Sequence, residues 1–249
     1  MATRLYVVPG SHPSMAGRLM LEHKGIPYSR IDLVSPMHRG VLRALGFPGK
    51  TVPALSHEGR KVQGTRDLAR YLDELEPDPP LFPDDPERRR AVEEAERWGD
   101  EELQPPPRRL AWWAMKRDRS EIGSFLADAR LGLPTPVLAR TSGPLIRLAA
   151  RANDVTEDSS QADLAAIPGL LDHVDALIAD GTIGGRQLNA ADFQIGPSVR
   201  VLMAFDDLKA AIEGRPAGQH AVRVCPDFSG RFAAVMDDAE RSKAVGSPS

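Results

Sequence analysis

Four places in this 249-residue chain carry side chains whose types and spacing could do chemistry. The first is Ser11-His12-Pro13-Ser14, which follows the short apolar run Leu5 to Val8 and the stop Pro9-Gly10. Pro13 suits the first turn of a helix, so Ser11 stands at a helix N-terminus. A hydroxyl there, beside free backbone N–H groups and the positive end of the helix dipole, can donate to an anion. The same residues also make an ordinary helix cap, and the two readings are compatible. The second place is Val52-Pro53, where a proline ahead of a strand marks a tight turn. The third is Gly64-Thr65, where a hydroxyl opens a helix whose first N–H groups suit an anion. The fourth is Trp112, Trp113 and Met115, which either line a cleft or pack in a core. Adjacent tryptophans on a helix point about 100° apart, so one at most faces a shared cleft.

Other chemistries lack their residues. Cys225 is the one cysteine, so no disulfide forms within the chain and no cysteine-based metal site can be built. It reads as a buried, inert thiol, and a reducing compartment follows. The six histidines show no zinc spacing, and no metal is expected. His12 reads as an exposed loop residue rather than a general base. A net charge of −3 argues against a nucleic-acid partner, and no apolar run approaches a signal-peptide core or a membrane span. Arg88-Arg89-Arg90 alternates with Glu93, Glu94 and Glu96 as on a solvated, salt-bridged helix face. The expectation is a soluble, cytoplasmic protein.

The elements that would position these residues begin with alternating strands and helices. A strand at Leu5–Val8 precedes a helix through Met15 and Leu19 that stops at Gly25. A second strand, 30–34, alternates at Ile31 and Leu33, and a short helix through Val41, Leu42 and Leu45 ends at Gly46. Val52–Leu55 and Lys61–Gln63 form a hairpin across 57–60, and Leu68, Leu72 and Leu75 face one side of a helix from about Thr65. The order is βαβαββα. The proline-rich stretch 77–86 is a linker. Beyond it the pattern is helical: a charged helix 87–103 with a stripe at Ala91, Ala95 and Trp98, a break or kink at Pro105-Pro106-Pro107, and a resumption over Leu110–Met115. Leu164 to Ile178 carries a further stripe whose start is obscured by Pro168-Gly169. Leu188-Asn189-Ala190-Ala191-Asp192-Phe193 is a capping box, with Asn189 as N-cap, Asp192 three residues on and Leu188 and Phe193 in the staple positions. The tail 246–249 reads as disordered.

This order resembles the glutathione S-transferase superfamily, a thioredoxin-like α/β domain followed by an all-helical one. Gly10 to Leu19 looks like the family's active-site turn and first helix, and Gly25-Ile-Pro-Tyr28 like its link into the second strand. Thr51-Val-Pro-Ala-Leu55 is similar to its cis-proline segment, Gln63 to Leu72 to its γ-glutamyl-binding turn, and Leu188–Phe193 to its buried capping box. The implied division is 1–76 for thiol binding, 77–86 as linker and 87–245 as the helical domain.

By that resemblance Ser11 is the activating hydroxyl, seven residues before Arg18, and stabilises a thiolate as a donor rather than acting as a nucleophile. Ser14 takes the second position of what redox relatives carry as C-x-x-C, which excludes dithiol chemistry. Tyr6 falls one position from the tyrosine that some classes use, so it belongs in the core. Val52 and Pro53 would present backbone to the thiol's cysteinyl moiety, and Thr65 a hydroxyl to its γ-glutamyl carboxylate. Gly64 stands where the family usually has an acidic residue for the γ-glutamyl ammonium; Gln63 is adjacent but neutral, and Asp67 lies one turn along. Trp112, Trp113 and Met115 would line the second, apolar site. The expected function is transfer of glutathione or another low-molecular-weight thiol to a small apolar electrophile, in a homodimer. The alternative is a non-catalytic protein of the same fold that binds a ligand or partner.

Overall fold

The computed structural model describes residues 3–132 and 135–245 of the chain. The tail at 246–249 lies outside the described residues.

The first half follows the expected βαβαββα order. Strand β1 (Arg4–Val7) is followed by α1 (His12–His23), β2 (Ser29–Asp32), α2 (His38–Ala44), β3 (Ala54–His57), β4 (Arg60–Gln63) and α3 (Thr65–Leu75). The sheet order is β2-β1-β3-β4. β1 pairs in parallel with β2 and antiparallel with β3, which pairs antiparallel with β4. The β3–β4 hairpin turns at Glu58-Gly59, both at positive φ (49° and 85°), the geometry a two-residue hairpin favours. Alternation along β1 sorts its side chains. Leu5 and Val7 join the main core, whereas Tyr6 packs on the other face with Leu42, Phe47 and Ala54. Its ring meets Phe47 edge-on at 5.4 Å, the core role expected of it.

Lys24, at the C-terminus of α1, holds the proline-rich strap. Its buried ammonium donates to Asp73 Oδ1 at 2.8 Å and to the carbonyls of Glu76 and Pro79 at 2.6 and 2.7 Å. After the strap all regular elements are helical: α4 (Pro86–Trp98), α5 (Pro105–Arg117), α6 (Ile122–Phe125), α7 (Thr135–Thr141), α8 (Gly143–Ala152), α9 (Glu157–Ala179), α10 (Ala190–Leu202), α11 (Asp206–Glu213), α12 (Pro216–Val224) and α13 (Asp238–Val245).

The three prolines neither end the helix nor delay its resumption to Leu110. One π-turn, Gly99–Leu103, joins α4 to α5 with Gln104 still at helical angles. Pro105 to Pro107 then fill the first three positions of α5, where no backbone N–H is needed for the helix ladder. Nor does α9 start at Pro168. It begins behind a capping box formed by Thr156 and Ser159 and runs through the proline.

The predicted capping box at α10 is present. Asn189 accepts from the N–H groups of Ala191 and Asp192, and Asp192 accepts from the Asn189 N–H at 2.7 Å. Asp192 also accepts from the Gly184 N–H at 2.7 Å, so one fully buried carboxylate ties the preceding loop to the helix. This matters for the site, because α10 is buried along nearly its whole length and α1 packs against it.

Candidate functional site

Ser11 is the N-cap of α1, with extended backbone angles (φ −79°, ψ 121°). Its Oγ accepts from the Ser14 N–H at 3.5 Å, the outer limit of a hydrogen bond, so its own O–H remains free to donate elsewhere. Ser14 is held differently. It is 3% exposed, and its Oγ accepts from the Val8 N–H at 3.0 Å, tying the end of β1 to the helix.

A cavity of about 230 Å³ opens where the α/β half meets the helical half. Ser11 and Val52 form part of its wall on one side, and Trp112 and Met115 on the other. Phe125 and Ile146 extend the apolar surface. The Val52–Pro53 bond is cis. Pro53 itself lies behind the wall, against Gly17 of α1.

The remaining predicted residues fall elsewhere. Gly64 and Thr65, at the start of α3, do not line the cavity. Gly64 sits at φ 90°, a left-handed value that favours glycine, and its N–H donates to the Pro53 carbonyl at 2.9 Å. Ser14 lines a second, smaller cavity of about 50 Å³ beside Arg18 and Arg30. Trp113 corrects an expectation: it turns away from the cavity into the helical core, as the angle between neighbours on a helix demands. Its indole N–H donates to Glu157 at 3.3 Å, and the Arg117 guanidinium lies 3.8 Å from its ring centre.

His12 is the second correction. It is 4% exposed, not a loop residue in solvent, and its Nδ1 lies 3.1 Å from Ser198 Oγ on α10. Burial first, and then the charge of Arg108, hold its pKa well below the ordinary histidine value. His38 is likewise pushed down to about 4 by burial and by Arg39. Both rings line the cavity and are neutral at physiological pH.

The charged lining was not anticipated from the sequence. Arg39, Lys50 and Arg108 all contribute to the wall, and among the described residues no aspartate or glutamate does. Gln63 positions Lys50 indirectly: its amide accepts from the Gly49 N–H at 2.6 Å and donates to the Thr51 carbonyl at 2.7 Å. Gln104 orients Arg108 by accepting from its guanidinium, while its own amide group donates to Asp100 at 2.7 Å. A sequence signal did exist for Arg108, since it lies one turn before Trp112 and so shares its face.

Among the described residues, no group of three or more His, Cys, Asp or Glu is placed to hold a metal, and no helix is long and apolar enough to cross a membrane. Cys225 is 2% exposed, its Sγ lies 2.8 Å from Met15 Sδ, and burial raises its thiol to about 11.

Residues 5–80 match the family model of the glutathione S-transferase N-terminal domain. Among solved structures the chain is similar to FzlA from C. crescentus, with a TM-score of 0.61 at 17% identity over 98% of this chain and 99% of that one. It is also similar to a glutathione S-transferase from Sinorhizobium meliloti 1021, with a TM-score of 0.60 at 16% identity over 98% of each chain. A third is maleyl pyruvate isomerase, described as a bacterial glutathione S-transferase in Zeta class, with a TM-score of 0.57 at 20% identity over 97% of this chain and 96% of that one. No curated protein sequence matches the chain. The similarity to these structures is one of fold. The family match covers the N-terminal segment alone, as a glutathione S-transferase N-terminal domain over residues 5–80.

Proposed function

Starting from a divergent glutathione S-transferase fold, we propose that the chain is a thiol transferase that joins glutathione or another low-molecular-weight thiol to a small electrophile. One observation carries this reading: the Ser11 hydroxyl caps a 12-residue helix at the wall of a cavity whose other side is aromatic and aliphatic.

In the proposed reaction the thiol loses its proton to solvent. The Ser11 O–H donates to the resulting thiolate, and the N-terminal dipole of α1 favours the same charge. The sulfur lone pair then forms a bond to an electrophilic carbon. In an addition to a carbon–carbon double bond, the displaced π pair moves to the neighbouring carbon, which takes up a proton. Val52 lines the cavity, and its backbone would pair with the thiol's amide groups.

A non-catalytic reading also has a specific observation behind it. At the start of α3 no carboxylate stands where an ammonium would be received. Gly64 has no side chain, Gln63 uses its amide oxygen and nitrogen on Gly49 and Thr51, and Asp67 is exposed on the helix. This favours a thiol without a γ-glutamyl ammonium, or no thiol at all.

Thermal unfolding with a panel of cellular thiols tests the proposal. A thiol at a hundred times its dissociation constant adds about 2.7 kcal/mol, or roughly 5–10 °C for a chain of this size. Ser11→Ala should then lower kcat/KM for conjugation by about 10²-fold, while the lost α1 cap costs the free protein only about 1 kcal/mol. No shift with any thiol would replace the transferase by a binding protein.

A further inference from the structure

Three arginines on α5 separate structural charge from unspent charge. Arg109 makes two hydrogen bonds to Asp163, at 2.7 and 2.5 Å, and Arg117 makes two to Glu240, at 2.8 and 2.7 Å. Arg108, beside the first of these, has no carboxylate partner among the described residues. It donates a hydrogen bond to the neutral Gln104 side chain. Arg39 is placed similarly, with one long hydrogen bond of 3.5 Å to the Ala152 carbonyl. Lys50 has no ion pair among the described residues, and all three cations meet at one cavity that has no acidic side chain in its wall.

Bringing like charges together at a partly enclosed site costs stability unless an opposite charge joins them. The cost is visible at Arg108, whose pKa is lowered by burial and further by Arg109 and Arg39, against the opposing pull of Asp100. The arrangement is nevertheless held in place: Asp100, Gln104 and Arg108 form a hydrogen-bonded row at four-residue intervals along one helix face. A fold that needed Arg108 only as a solvated surface charge would not fix it at a cavity wall. One turn on, Trp112 supplies an aromatic face beside the guanidinium, with Phe125 and Ile146 completing the apolar surface.

We infer that the electrophile taken by this site carries a carboxylate, bound by the guanidinium of Arg108 with Arg39 and Lys50 adding positive charge, and an apolar body that lies against Trp112. This deepens the transferase reading and rests on it, replacing a wholly apolar acceptor by an amphipathic one. A carboxylate matches the planar fork of an arginine through two parallel hydrogen bonds, which a neutral ester or amide cannot reproduce. Arg108 is thereby a specificity-determining residue, and Gln104 positions it.

The binding step can be tested without any thiol. Tryptophan fluorescence, to which Trp98, Trp112 and Trp113 all contribute, is titrated with cinnamate and with methyl cinnamate, which share an apolar body and differ in charge, in wild type, Arg108→Gln and Arg108→Lys. Cinnamate should bind wild type at least 10-fold more tightly than its ester, and Arg108→Gln should weaken cinnamate by roughly 10–100-fold with the ester unchanged. Arg108→Lys should recover part of the loss. Matching unfolding midpoints guard against a misfolded variant, and Arg39→Gln, on the other half of the chain, should give a smaller loss of the same sign. Equal affinity for acid and ester, or an unchanged cinnamate affinity in Arg108→Gln, overturns the inference. It also falls if Arg108→Gln abolishes the thiol-induced thermal shift while sparing cinnamate, because the cations would then serve the thiol. Failure of the transferase reading looks different: cinnamate still discriminates against its ester, but no thiol shifts the midpoint or is consumed.

Discussion

Glu96 is a carboxylate whose burial and ion pairing pull in opposite directions, and its pH response decides between them. Its side chain is 1% exposed on α4, with Oε2 2.8 Å from Arg70 and 3.9 Å from Arg66, both on α3. Burial is the larger effect and raises its pKa from the ordinary 4.5 to about 7, despite the arginines. The folded protein therefore holds a proton on Glu96 that the unfolded chain has already released above 4.5. Stability from this group is fully present below pH 4.5 and is lost as pH rises to about 7. At about 1.4 kcal/mol per pH unit, the loss amounts to about 3 kcal/mol. Because Arg70 is partly exposed and can move with the charge, that figure is an upper value. Glu96→Gln keeps the shape and removes the titration. Urea unfolding of both proteins at pH 5, 6, 7 and 8 gives a stability difference in which other titrating groups cancel. Wild type should lose up to about 3 kcal/mol relative to Glu96→Gln between pH 5 and 8. A difference that is flat, or that moves in favour of wild type as pH rises, would show that the arginine pair outweighs burial and refute the reasoning.

The capping carboxylate offers an effect of similar size, best read at pH 8, above the value of about 6 to which burial raises Asp192. Asp192→Ala strands the buried N–H groups of Asn189 and Gly184 and should cost about 3 kcal/mol in urea unfolding, whereas Asp192→Asn should retain part of this. At Gly17 a Cβ would stand 2.8 Å from the Pro53 Cβ and 3.1 Å from the Leu68 side chain. Gly17→Ala should therefore destabilise by about 1–3 kcal/mol and displace the Val52–Pro53 wall, read as a smaller thermal shift with any thiol that protects wild type. The two tryptophans should separate cleanly. Trp113→Phe loses the bond to Glu157 and costs about 1 kcal/mol without altering ligand affinity, while Trp112→Ala weakens cinnamate binding and also lowers the free protein's unfolding midpoint, because its ring packs partly against the core.

The order of elements was legible because local signals agreed with one another. Pro9-Gly10, Gly25, Gly46 and Gly64 punctuate the α/β half, and the alternation at Tyr6 between Leu5 and Val7 correctly divides the two faces of β1. The α10 cap was equally legible, because its partners lie within four residues of one another. The errors came where a rule was applied without its position. Prolines break helices from within, but Pro105 to Pro107 occupy the one turn that donates nothing to the ladder, reached through a π-turn that no periodicity announces. Pro168 drew attention from the real start of α9, although Thr156 and Ser159 had the composition of a cap.

The cavity was harder to foresee, for a reason that bears on its function. Ser11 and Val52 sit in recognisable local contexts, but His12 is buried by Ser198, 186 residues away, and nothing near His12 in sequence records that contact. Arg39, Lys50 and Arg108 belong to three separate segments, each of which alone reads as a solvated charge on a surface. They come to one wall only where the α/β half and the helical half face each other across the cavity. Charges needed for folding leave a different trace: Lys24, Arg109 and Arg117 each meet a carboxylate within 2.8 Å. Among the described residues the cavity cations meet none, and His12 and His38 beside them stay neutral, so the positive charge at the site comes from Arg39, Lys50 and Arg108. An anionic ligand should therefore bind with nearly constant affinity between pH 6 and 8, and an affinity that fell steeply across that range would assign its binding to the histidines instead.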